Sequence, residues 1–167
     1  MLGPLRGIHR ENHMNAHKLL VITLILPFLL TGCGDKEDKA NVELSKDKMS
    51  ITSKTDKGEI KMDVGGNVAL PDNFPKDVFV YPDTKILSAI QMPQGLNVTM
   101  VSGDDKQNII DTYQKKMSQN GWAMQSSMMM GAQSIMMFQK NDRAANITIV
   151  SGGDAEGVHI SLTISNK

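Results

Sequence analysis

The chain has 167 residues, with 18 basic and 18 acidic side chains, one cysteine and four histidines. That length suits one domain plus a tether, the balanced charge leaves no electrostatic footprint for nucleic acid, and a lone cysteine excludes an internal disulfide. No phosphate-cradling glycine loop or serine elbow occurs, so the composition points away from an enzyme.

The chain opens with MLGPLRGIHRENH, then Met14, then Lys18 ahead of an apolar run from Leu19 to Leu30, LLVITLILPFLL. Twelve residues are too few to span a bilayer, which takes about 20, but they match the apolar region of a secretory signal. The run ends in Leu30-Thr31-Gly32-Cys33. This pattern resembles the lipobox of bacterial lipoproteins. The resemblance implies cleavage between Gly32 and Cys33, acylation of the Cys33 sulfur, and a membrane partner reached through that covalent lipid, with no other cofactor. Gly34 rather than aspartate follows the cysteine, which within that family favours the periplasmic face of the outer membrane over the inner membrane. Residues 1–13 fit no part of the signal, so Met14 is the expected initiator. Residues 1–33 also hold Arg6, Arg10, Lys18, Glu11 and three of the histidines, which leaves 15 basic and 17 acidic residues beyond them, a net of −2.

Residues 34–48, GDKEDKANVELSKDK, are dense in charge and poor in apolar side chains, the composition of a flexible linker. Residues 49–70 follow as a β-hairpin region. Met49, Ile51 and Ser53 alternate before Asp56-Lys57-Gly58, and Ile60, Met62 and Val64 alternate after it.

Residues 71–167 read as an α+β domain. Its entry, Phe74-Pro75-Lys76-Asp77-Val78-Phe79-Val80-Tyr81-Pro82, together with Tyr113 and Asn120-Gly121-Trp122, resembles a domain of uncharacterised bacterial lipoproteins with an FPxDVPVYPGA entry and a Y…GW helix end. The resemblance spans residues 49–167 and implies a fold without an active site. Phe79 and Asp83-Thr84 depart from its pattern.

Strands are expected over 85–92 and 95–101, joined at Pro93-Gln94. A helix should start at Asp104, with Asp104 and Gln107 as a capping pair. It carries Ile109, Ile110, Tyr113 and Met117 on one face and stops at Asn120-Gly121. Four strands complete the chain. Trp122, Met124, Met128 and Met130 alternate on the first, Met136 and Phe138 on the second, Ile147 and Ile149 on the third, and Val158, Ile160, Leu162 and Ile164 on the last. The expected architecture is a curved antiparallel sheet with one helix across a face, a helix-grip-like arrangement.

Strict alternation puts Met128, Met130 and Met136 in the core and turns Met129 and Met137 outward. Met129 and Met137 are therefore a candidate binding surface, suited to an apolar ligand or an envelope protein because methionine adapts its shape, and Trp122, just past the helix stop, reads as a core anchor with ligand stacking at that surface as its alternative. The alternative is a copper(I)-binding role, since thioethers suit that soft ion. His159 with Asp154 and Glu156 falls short of a metal site: one histidine and two carboxylates in a glycine-rich turn have ordinary turn composition, and no metal ligands are assigned.

Overall fold

The computed structural model describes residues 40–66, 68–152 and 157–166. The signal segment, Gly32, Cys33, residues 34–39 of the expected linker, Asp154 and Glu156 lie outside the described residues.

The strands are β1 (Ala40–Leu44), β2 (Lys48–Thr55), β3 (Gly58–Gly65), β4 (Lys85–Met92) and β5 (Gly95–Ser102). After them come the helix α1 (Lys106–Gln119) and the strands β6 (Ala123–Met130), β7 (Gln133–Lys140), β8 (Arg143–Ser151) and β9 (Val158–Asn166). They form one nine-stranded antiparallel sheet in the order β1-β2-β3-β4-β5-β9-β8-β7-β6. An antiparallel sheet with one helix is the α+β class expected. Two boundaries change. The linker reading of 34–48 is corrected at Ala40–Leu44, which pairs in full with β2. The hairpin is not a separate unit, because Lys61–Val64 of β3 pair with Ser88–Gln91 of β4.

Directly opposed residues in an antiparallel pair share a face, so the registers sort the side chains. One face carries Val98 and Met100 of β5, Ile160 and Leu162 of β9, Ile147 and Ile149 of β8, and Met136 and Phe138 of β7. All are buried, together with Ile109, Ile110, Tyr113 and Met117 of α1. The opposite face of the central strands is a polar ladder of Asn97, Thr99, Ser161, Thr163, Asn146 and Thr148. Within it Asn97 Nδ2 donates to Ser161 Oγ at 3.0 Å and to Thr163 Oγ1 at 2.8 Å. We call these the helix face and the open face.

The helix is capped at both ends. Its N-cap is Asp105 rather than Asp104: the Asp105 carboxylate accepts from the backbone N–H groups of Gln107 (2.8 Å) and Asn108 (3.4 Å). Asp104 instead accepts from the Tyr81 hydroxyl at 2.5 Å and the Asn108 side chain at 3.2 Å. At the other end Gly121 takes φ +80°, its N–H donates to Ser118 O, and the Trp122 N–H donates to Met117 O, both at 3.0 Å. This is a Schellman stop, in which glycine supplies the left-handed residue. Gly95 answers a different demand. A Cβ there would lie 2.1 Å from Ile164 O, so only glycine lets β5 begin this close to β9.

Ile147→Ala, which truncates a fully buried side chain, should lower unfolding stability by ~2–5 kcal/mol. Thr148→Ala on the open face should cost well under half of that. Urea unfolding of the two variants measures the contrast, and equal losses would contradict the face assignment.

Candidate binding surface

The proline-rich segment between β3 and β4 closes one end of the core. Val78 and Tyr81 are buried, and Phe79 stacks edge-on against Tyr113 with ring centroids 5.4 Å apart. Prolines turn this segment back on itself, as the Phe74 N–H donates to Pro71 O at 2.9 Å and the Val78 N–H to Pro75 O at 3.1 Å. Asp77 fastens it to the far side of the sheet. Its carboxylate accepts from both terminal nitrogens of Arg143 (2.9 and 2.5 Å) and from Lys140 Nζ at 2.7 Å. Arg143 holds the Asp77 carboxyl far below the usual carboxylate range, and Lys140 adds to this against the opposing effect of burial.

Trp122 belongs to this clasp and not to a binding surface. It is 2% exposed, its Nε1–H donates to Asp77 O at 2.9 Å, and the Arg143 guanidinium lies over its ring at 5.0 Å. Trp122 is thus the core anchor expected, and its alternative place on a ligand surface is corrected. The helix stop places it before β6, where its ring turns under the proline-rich segment.

A depressed carboxyl pKa contributes stability above the unfolded-state value of about 3.9, and that contribution fades as pH falls toward the folded-state value. Wild-type stability should therefore fall steeply below about pH 4. Asp77→Asn should be less stable at neutral pH and show a shallower acid limb. Parallel limbs for the two proteins in acid titration of the urea midpoint would remove Asp77 as the cause.

The methionines are arranged differently from strict alternation. Met124 opposes Phe138, yet Ser126 opposes Met137, so Gln125 is an extra residue in β6. A one-residue bulge inverts the facing of every side chain beyond it. Met129, opposing Ser134, thus shares the helix face with Met136, whereas Met128, opposing Ile135, and Met130, opposing Gln133, share the open face with Met137. The expected core positions of Met128 and Met130 are corrected accordingly: they are 48% and 55% exposed. Met129 and Met137 are exposed as expected, at 59% and 42%, but on opposite faces. The resulting surface is the outermost strand with its neighbour, carrying Met128, Met130, Ile135 and Met137 together and no charged residue among Ala123–Met130. Nothing in the hydrophobic pattern marks the bulge, because methionines stand at both parities.

His159 opposes Val101 and Val150 on the open face, away from acidic strand residues. Among the described residues no group of three or more histidine, cysteine, aspartate or glutamate side chains could hold a metal ion. A cleft of about 170 Å³ lies at the β4–β5 turn beside Asn73, Pro75, Arg143 and Asn166, below the ~300 Å³ typical of small-molecule sites.

Residues 84–157 match the START domain-like family. The match runs from just before β4 to just before β9 and includes the helix and the methionine surface. No curated protein and no solved structure matches the chain.

Proposed function

We propose that this chain is a lipid-anchored extracytoplasmic lipoprotein whose helix-grip-like domain works as a binding module and not as an enzyme. The carrying observation is the uncharged, exposed methionine surface on β6 and β7. A polarizable, conformationally adaptable surface of this kind accepts apolar partners of variable shape. The START domain-like match over 84–157 supports the same reading, since it covers that surface. The lipobox Leu30-Thr31-Gly32-Cys33 supports attachment through Cys33 at the cell envelope, on the periplasmic face of the outer membrane. The partner is an envelope protein or an apolar ligand.

Copper(I) binding is a second reading, favoured by one observation: the bulge brings the thioethers of Met128, Met130 and Met137 to a single face.

Cells grown with an alkynyl palmitate should label the wild-type chain and leave Cys33→Ala unlabelled and released from membranes. Equal labelling of both would overturn the anchor. A benzophenone side chain at position 137 should crosslink the partner in the envelope, whereas one at Lys57 should not, and indistinguishable patterns would remove the binding face. Copper(I) titration of the wild type against M128L/M130L/M137L decides the second reading, which equal affinities would rule out.

A further inference from the structure

The methionine surface is not the only apolar part of the open face. At the opposite edge of the sheet, β1 to β4 oppose one another in two rows. Val42, Ile51, Met62 and Ile90 form the first, and Leu44, Met49 and Val64 continue into Ser88 in the second. Every charged strand residue of β1, β2 and β3 lies on the other face: Glu43, Lys48, Lys54, Glu59, Lys61 and Asp63. Asp63 shows how strictly the segregation is kept. It is 7% exposed, and although burial pushes its carboxyl up, hydrogen bonds from Ser50 and Lys48 outweigh that and hold it below the usual range.

The seven apolar residues of the two rows belong to no core. The buried cluster and the partly buried residues packed on it include none of them, and the helix packs against β6 and β8 from the other side of the sheet. Val42 and Leu44, on the edge strand, are 52% and 78% exposed, and the other five are half-buried. Apolar rows that run across four strands and open to water along β1 have the character of an interaction surface.

Chain length identifies the occupant. Because β1 begins at Ala40, only six residues, 34–39, separate this patch from Cys33. Fully extended, that stretch reaches about 25 Å. A lipid on Cys33 would hold β1, the edge of the apolar patch, within that distance of the bilayer, where partial insertion of an apolar face is favourable in proportion to its area. We propose that the open face of β1 to β4 docks on the phospholipid surface of the membrane that holds Cys33. This inference rests on the lipid-anchor reading.

The test uses the full lipidated chain in vesicles of phosphatidylethanolamine and phosphatidylglycerol doped with doxyl-labelled phosphatidylcholine. With Cys33 acylated, an introduced cysteine is the one free thiol and takes an environment-sensitive fluorophore. Quenching at Ile51→Cys should exceed that at Lys54→Cys, on the opposite face, by roughly threefold or more, as expected for a face sunk ~5–10 Å into the headgroup boundary. Leu44→Glu, at a position too exposed to compromise folding, should cut the quenching at position 51 to near the position 54 level. Equal quenching at both positions, or none at either, overturns docking. A fluorophore at position 51 that is shielded in a concentration-dependent way but insensitive to doxyl lipid points to a second copy of the chain and equally overturns it. Mass spectrometry of the same sample reads the anchor separately: an unacylated Cys33 defeats the lipoprotein reading itself, whereas acylated chain without quenching defeats only the docking.

Discussion

The domain depends on one constraint, the two-residue alternation of β5, β8 and β9. Each of these central strands is paired on both sides, so none can slip by one residue without turning its apolar set out of the core. With that register held, Val98, Ile147, Ile160 and their neighbours have one side on which to be buried, and α1 covers it. The polar ladder of Asn97, Thr99 and Thr163 on the reverse is the same constraint seen from the other side. Within it the Asn97 side chain bridges to Ser161 and Thr163 on the neighbouring strand.

Where alternation is clean, sequence reading works. The last strand was legible from Val158, Ile160, Leu162 and Ile164 alone, and the two hairpins followed from their turn residues. The helix followed from Ile109, Ile110, Tyr113 and Met117, although its cap moved by one position because Asp104 is engaged by Tyr81, far away in the chain. β1 was not legible. Lys, Glu and Asp dominate its surroundings, and composition over fifteen residues concealed that Val42 and Leu44 sit at spacing two and complement Ile51 and Met49.

The candidate surface was half legible for a related reason. Methionine content announced it, but in a run that is apolar at both parities periodicity carries no information about facing. The extra residue at Gln125 is a backbone event that no side-chain pattern records. At Trp122 the strand pattern ran one residue too far back, into a residue that the helix stop had already claimed, although its burial was foreseen. Its indole N–H and ring face are taken by Asp77 and Arg143, contacts across 45 and 21 residues of sequence that the pattern could not anticipate.

The position of β9 has a further consequence, in the order in which the sheet can be assembled. β1 to β5 pair in sequence as one meander and β6 to β8 as another, and no strand of the first pairs with a strand of the second. β9, the last of the elements in chain order, is inserted between them and bonds to both. Until β9 is in place the chain is two incomplete sheets, each with an unpaired inner edge, joined only through the segment that holds α1. Completion of the core is therefore a late, largely all-or-none event. A chain cut short before Val158 would not be a slightly smaller domain but two exposed halves.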